Sequence, residues 1–151
     1  MQVADIIKTK GDRVVAIAPD RTVGEAASTL GRERIGAAVV QDKNGAVLGI
    51  ISERDIVRAI AEYGAAALEM SVSDLMSRSV VTCTRASSTE DLLEQMIASQ
   101  IRHLPVIEDS ALVGIVSVSD VVKGVLSQLK WQNKALQEQV VTAATWSTDE
   151  D

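Results

Sequence analysis

The sequence predicts an α/β chain: two pseudo-symmetric β-α-β-β-α repeats packed sheet to sheet, followed by a C-terminal helical tail. Three observations predict it. The chain of 151 residues repeats itself, with "GIISERD" at 49–55 answered by "GIVSVSD" at 114–120. Within each copy the apolar pattern passes between strand-like and helix-like spacing. Hydrophobic residues make up 46% and charged residues 24%, the balance of a globular chain able to bury a core. Internal repetition weighs most, because a missed repeat misassigns the whole fold.

The copies align in order. Val14-Val15 match Val80-Val81, and Ile35 matches Ile101 at the same offset; Asp55 matches Asp120 with one residue fewer between. The lost residue falls in a turn, "DKNG" in the first copy and "EDSA" in the second. Each copy opens with a β-rich run, Val14–Ala18 or Val80–Thr84. A helix follows. Thr22 and Glu25 have capping-box spacing, and Val23, Ala26, Ala27 and Leu30 form a stripe at helical spacing. In the second copy Ser88 leads into Leu92, Leu93, Met96 and Ile97. Two short strands come next, Ala37–Gln41 and Val47–Ile51, with "KNG" between them as a hairpin signal. Their counterparts are His103–Ile107 and Leu112–Val116. A second helix starts near Ser52 or Ser117. "VADII" at 3–7 and "VSDLM" at 72–76 add a further matched pair.

A unit of about fifty residues is marginal alone, so two copies are expected to pack together. The expected organisation is a first repeat over 1–63, a connector over 64–71, a second repeat over 72–128, and a C-terminal helix with an acidic tail over 129–151. "EYGAAALEM" in the connector reads as partly helical. In the tail, Val122, Val125, Leu126, Leu129, Leu136 and Val140 form a helical stripe interrupted at Asn133. That helix either packs on a partner subunit or folds back on its own domain. Trp131 and Trp146 favour a packed contact, and the final "STDED" reads as frayed.

Composition excludes several functions. The formal net charge is −6, and no basic cluster is present, which argues against nucleic acid and anionic membrane surfaces. No apolar run reaches the length of a membrane span, and "MQVADIIKTKGDR" lacks a signal-peptide layout, so a cytoplasmic protein is expected. Cys83 and His103 are the only residues of their types, which leaves no intrachain disulfide, CxxC pair or His-rich metal site. Aromatics are 2%, with no Phe, so any base-binding pocket is expected to have aliphatic walls. No nucleophile–base pair, P-loop or metal set is visible, and an enzyme is not expected.

Ser-x-x-Asp before an apolar helix has two readings. As a cap, Ser52 or Ser117 is the N-cap, and Asp55 or Asp120 favours the positive end of the helix dipole. Gly49 and Gly114 then merely relieve crowding. As a binding motif, the helix N-terminus attracts phosphate, the serine donates to a ligand oxygen, the aspartate accepts from a ribose diol, and the glycine admits a ligand close to the backbone.

The β-α-β-β-α unit, "IRHLPVIEDSALVGIVSVSD" and "GIISERDIV" resemble the cystathionine-β-synthase (CBS) domain family, whose tandem pairs are called Bateman modules. The resemblance covers roughly residues 1–128 and is to a stand-alone pair. It implies a non-catalytic regulatory module that binds AMP, ADP or ATP, with S-adenosylmethionine or NAD as further options, in clefts between the repeats. No cofactor is required. It implies a homodimer, and a regulated protein partner that the sequence does not identify. Carried over, one site joins Ser52, Glu53, Arg54 and Asp55 to Val81, Arg102 and His103. The other joins Ser117, Val118, Ser119 and Asp120 to Val15, Gly36 and Ala37. The two aspartates would hold ribose hydroxyls. Arg54, Arg102 and His103 make the first site the expected stronger phosphate binder. An interaction module with degenerate pockets is the alternative.

Each of these side chains also has a plain structural reading. His103 is then a half-exposed strand residue, Arg54 a solvated helix charge, and Pro105 an edge or strand-entry proline. Cys83 reads as a small strand residue rather than a redox switch.

Overall fold

The structure, a computed structural model, describes residues 1–11 and 13–148, with side chains through residue 144. The first repeat contains β1 (Ala16–Ile17), α2 (Val23–Glu33), β2 (Ala37–Gln41), β3 (Val47–Ser52) and α3 (Glu53–Tyr63), preceded by α1 (Val3–Lys10). A 3-10 segment (Gly64–Glu69) forms the helical part of the connector. Then come α4 (Val72–Leu75), α5 (Thr89–Ser99), β4 (His103–Glu108), β5 (Ala111–Ser117) and α6 (Val118–Thr148).

The first sheet runs β1-β2-β3, with β1 parallel and β3 antiparallel to β2. The second consists of β4 and β5, antiparallel. The opening strands are shorter than expected. Val14–Ala18 yields two residues of strand, and Val80–Thr84 yields only the bridge of Cys83 to Val106. Proline explains the difference between copies. In the first repeat both Ala16 and Ile17 bridge to β2, through Val39 and Val40. The position matching Val39 is Pro105, which has no N–H to give the neighbouring bridge. Its carbonyl still accepts from Cys83 at 3.0 Å, and Cys83 accepts from Ile107 at 2.9 Å. Pro105 therefore sits inside β4, facing the place where a full strand would need its donor.

The hairpins account for the missing residue. The first turns through Asp42–Ala46, with Gly45 at φ 85° and Asp42 Oδ1 accepting from Asn44 and Ala46 N–H. The second closes with Asp109 and Ser110 alone, at φ 49° and 66°, the left-handed pair that a two-residue turn demands.

Helix caps follow the expected positions. Thr22 accepts the Glu25 N–H at 3.1 Å, and Ser88 accepts that of Asp91 at 3.0 Å. Thr22 and Glu25 make only half of a capping box, because the Glu25 carboxylate turns to Arg21 at 3.2 Å. Val23, Ala26 and Leu30 are buried on α2, and Leu92 and Met96 on α5, whereas Ile97 points outward.

Two cores form, and each takes a segment from the other end of the repeat pattern. Ile17, Val23, Leu30, Val40, Ile51 and Ile56 pack with Val72 and Met76, from the stretch carrying α4. Leu92, Met96, Leu104, Val106, Val116 and Val121 pack with Val3, Ile6 and Ile7 of α1. The backbone seals the exchange twice: Thr22 bridges Ser71, and Ser88 bridges Gln2. Units of sequence and units of packing are therefore crossed. Burying Val3, Ile6 and Ile7 is worth about 1.5–3 kcal/mol each, and that stabilisation ties the N-terminus to the distant repeat.

Helix α6 runs well beyond the second motif, as expected, and the interruption of the apolar stripe at Asn133 does not break it. Asparagine is a mediocre helix former, not a breaker. Trp131 is 72% exposed, so the described residues leave most of its surface uncovered. Of the final stretch expected to be frayed, Ser147 and Thr148 are still helical; the side chain of Trp146 and residues 149–151 lie outside the described residues. No helix among the described residues is long and apolar enough to cross a membrane.

Candidate functional site

Both Ser-x-x-Asp copies are true caps. In the first, the Ser52 hydroxyl accepts the Asp55 N–H at 3.3 Å, while Asp55 Oδ2 accepts the Ser52 N–H at 2.9 Å and its hydroxyl at 3.0 Å. In the second, the Ser117 hydroxyl accepts the Asp120 N–H at 3.2 Å, and Asp120 Oδ2 accepts the Ser117 N–H at 2.9 Å. The first helical N–H is also taken in both. Glu53 donates to the Gly36 carbonyl, and Val118 to the Arg102 carbonyl, each at 2.9 Å. The helix N-termini are thus less open to an anion than the motif alone implies, since the first and third donors are already used.

The glycines of the motif do not face an open ligand space. A Cβ at Gly49 would lie 2.5 Å from the Ser77 carbonyl and 2.8 Å from Met76 Sδ. One at Gly114 would lie 2.5 Å from Ile7 Cδ1. The protein's own crossing segments occupy the approach that was expected for a ligand.

Those two segments end differently, and the copies part there. After α4 the chain straightens, and Ser77 pairs with Ile50 on the edge of β3 through two backbone hydrogen bonds. The eight-residue α1 instead continues a further turn and brings Lys10 over β5. Lys10 Nζ donates to Asp120 Oδ2 at 2.7 Å and to the Ile115 carbonyl at 3.0 Å. Burial alone would raise the Asp120 pKa. The hydrogen bonds from Lys10 and Ser117, with the Lys10 charge, outweigh it and hold the carboxyl below its ordinary value. Among the described residues Asp55 makes no such ion pair.

A cleft of about 680 Å³ opens beside this pair. Val15, Gly36 and Ala37 form one wall, and Ser117, Val118, Ser119 and Val122 the other; Lys10, Arg13, Arg34, Arg102, His103 and Glu53 surround them. Its volume falls within the usual range for small-molecule sites, about 300–1,000 Å³. The hydroxyls of Ser117 and Ser119 are 3.0 Å apart. Gly36 is where the two repeats face each other: a Cβ there would lie 3.5 Å from Glu53 Oε1 and 3.6 Å from His103 Nε2. Burial lowers the His103 pKa, and Lys10 and Arg102 lower it further, against the opposing pull of Glu53 and Asp120. These surroundings disfavour the imidazolium form.

The cleft joins residues that the sequence had divided between two sites. Val15, Gly36, Ala37, Ser117, Val118 and Ser119 come from one expected set, and Glu53, Arg102 and His103 from the other. Asp120 is reached through Lys10. Ser52, Arg54, Asp55 and Val81 do not line it. The arginine and histidine assigned to the first motif thus stand beside the second. Sequence reasoning missed Lys10, Arg13 and Arg34. Arg34 is the left-handed C-cap residue of α2, at φ 55°. Lys10 and Arg13 belong to the stretch leaving α1, which reaches the second repeat only through the exchange of segments. No local motif marks them.

Residues 3–62 and 72–127 each match the family model of the CBS domain. The crystal structure of the CBS-domain containing protein ATU1752 from Agrobacterium tumefaciens is 48% identical, with a TM-score of 0.80 over 82% of this chain and 98% of that one. The mitochondrial CBS domain-containing protein CBSX3 of Arabidopsis thaliana is 31% identical over 83% of this chain, which spans 65% of that protein's length. The CBS domain pair of protein MJ0100, crystallised in complex with 5′-methylthioadenosine and S-adenosyl-L-methionine, is 25% identical, with a TM-score of 0.73 over 82% of this chain and 98% of that one.

Proposed function

The chain belongs to the CBS-domain family, and from that premise we propose that it is a non-catalytic sensor that binds an adenine nucleotide in the cleft beside Asp120. The observation that carries this reading is the wall chemistry. Four cations, Lys10, Arg13, Arg34 and Arg102, line the cleft with one acid, Glu53, on aliphatic and hydroxyl-bearing surface; Lys10 is paired with Asp120 at 2.7 Å and Arg13 with Glu33 at 2.9 Å. The adenine would lie against Val15, Ala37 and Val122. The ribose hydroxyls would take Asp120 in place of Lys10, and the phosphates would meet Lys10, Arg102 and the two serines. The adenosyl ligands of the MJ0100 domain pair support the adenosine part.

The charge of the walls favours AMP, ADP or ATP, or an anionic dinucleotide such as NAD, over the cationic sulfonium of S-adenosylmethionine. Ligand binding would exchange the Lys10–Asp120 contact for ligand contacts and shift the pose of α1 against β5. A partner protein would read that shift. The protein would act as a homodimer.

A second reading, an interaction module with a closed pocket, is favoured by the same ion pair, because the Asp120 carboxylate is already satisfied. Isothermal titration with AMP, ADP, ATP, NAD and S-adenosylmethionine separates the two. Binding of an adenine nucleotide that is lost in Asp120→Ala supports the sensor. Silence with all five supports the interaction module.

A further inference from the structure

Helix α6 is 31 residues long, which spans about 46 Å at the α-helical rise. Its beginning packs on the domain. Val121 is buried with the second core and Gly124 packs beside Thr89 and Ile6. From Leu129 through Ala144 every described side chain but Ala135 is exposed. An isolated helix of that length is marginal in water, because its hydrogen bonds barely offset the ordering of the chain. It needs a surface to bury its apolar face.

The spacing of that face states what the surface is. Leu126, Leu129, Asn133, Leu136, Val140 and Ala143 follow one another at alternating intervals of three and four. That is the heptad seam of a coiled coil, with Leu126, Asn133 and Val140 at the first core position and Leu129, Leu136 and Ala143 at the second. Leu129, Leu136 and Val140 are each more than half exposed in the single chain. Asn133, which looks like a flaw in an amphipathic helix, has a defined place in such a seam. A single asparagine at the first core position selects two parallel strands in register, because only there does it meet another asparagine. An antiparallel pairing would set it against leucine and leave its amide unsatisfied.

The flanking charges fit a second copy. The positions beside the seam are Lys130, Gln132, Gln137, Gln139 and Ala144. No acid lies on them, although the chain carries −6 overall, and in the parallel pairing no two like charges face each other. Glu138, the acidic residue of this stretch, is on the outer side, as is Trp131.

We propose that the projecting half of α6 pairs with the same segment of a second copy as a parallel two-stranded coiled coil, with Asn133 facing Asn133 across the axis. The two cores then lie side by side at one end, with equivalent faces turned the same way. This inference does not depend on what the cleft binds.

Disulfide trapping in the full chain tests it. Asn133→Cys places two thiols across the seam within the Cα separation a disulfide spans, about 4.4–6.8 Å. Trp131→Cys places them on the outside, and the native Cys83 is buried. Mild oxidation should convert Asn133→Cys to a covalent dimer and leave Trp131→Cys and the unsubstituted chain as single chains on a non-reducing gel. Adding Leu129→Asp and Leu136→Asp to Asn133→Cys should abolish the cross-link. Far-ultraviolet dichroism on that variant should show helix content lost, with the cores still unfolding cooperatively. Absence of the covalent dimer at Asn133→Cys, or equal trapping at Trp131→Cys, would overturn the parallel seam. Trapping that survives the two aspartates would overturn its hydrophobic basis. Nucleotide titration is silent on all three outcomes, so this proposal and the sensor reading fail separately.

Discussion

Lys10 Nζ lies 2.7 Å from Asp120 Oδ2, although 110 residues separate them in the chain. The bond exists because α1 leaves its own repeat and packs against β5 of the other. It distinguishes the two pseudo-equivalent aspartates: Asp120 has a cation, whereas among the described residues Asp55 has its serine cap and no ion pair.

Replacing the lysine separates its two roles. In Lys10→Met the carboxylate no longer has to leave a partner, so adenosine, which has no phosphate, should bind more tightly. AMP should bind more weakly, because a cation for its phosphate is gone. A partly exposed ion pair is worth about 0.2–1 kcal/mol, which sets both changes at roughly 1.4- to fivefold. Calorimetry with the two ligands checks the opposite signs, and parallel changes would exclude the exchange.

Asp55 and Asp120 should respond differently to alanine. Asp55→Ala removes the return half of a capping box and should cost about 0.5–2 kcal/mol of stability, with AMP affinity within about twofold of the parent. Asp120→Ala should lose measurable AMP binding. Urea unfolding and calorimetry on both variants read the contrast, and equal loss of affinity would place ligand at both motifs.

Gly49 and Gly114 differ in what fills the space above them. A methyl at Gly49 meets the Ser77 carbonyl, held by two backbone bonds to Ile50; at Gly114 it meets the end of the Ile7 side chain. Gly49→Ala should cost about 1–3 kcal/mol, the range for an overpacked site. Gly114→Ala should cost less, because a terminal methyl moves more readily than a paired strand. Chemical denaturation of the two variants gives the order, and a reversal would count against the edge pairing at Ser77.

His103 should make the fold acid-sensitive. Its pKa is lowered in the folded state, first by burial and then by Lys10 and Arg102, so the unfolded chain takes up the proton first. Stability from this group is full above the unfolded value of about 6.5 and declines as pH falls below it. His103→Gln should flatten the decline between roughly pH 7 and pH 5. An unchanged slope in thermal melts across that window would assign the acid sensitivity elsewhere. The lowered pKa of Asp120 acts in the same direction at lower pH, where its carboxylate takes up a proton.

Cys83 should be inert while the protein is folded. Burial pushes its thiol pKa up to about 11, and the side chain sits in the second core. An aromatic disulfide reagent at pH 8 should react with the unfolded chain and not with the native one. Prompt reaction of native protein would contradict the packing around the Cys83–Val106 bridge.

The sequence by itself determined the repeat, the order of elements and the caps. These depend on residues within a few positions of one another: Ser52 with Asp55, Ser88 with Asp91, the short apolar runs of β2 and β4. It also carried the heptad of α6, a local spacing, although the asparagine within it reads as a break until the helix is seen to continue. The grouping of site residues was not local and was only half legible. The serines and glycines of the cleft follow from the motif. Tertiary structure decided which of the repeated aspartates gains a cation, and which cleft receives Arg102 and His103. The physical reason is the exchange of α1 and α4 between cores. Buried Val3, Ile6 and Ile7 dock α1 on the far repeat, and one additional helical turn then delivers Lys10 to Asp120. At the matching place, α4 stops short and Ser77 closes on β3 instead. Two nearly identical motifs thereby acquire different surroundings.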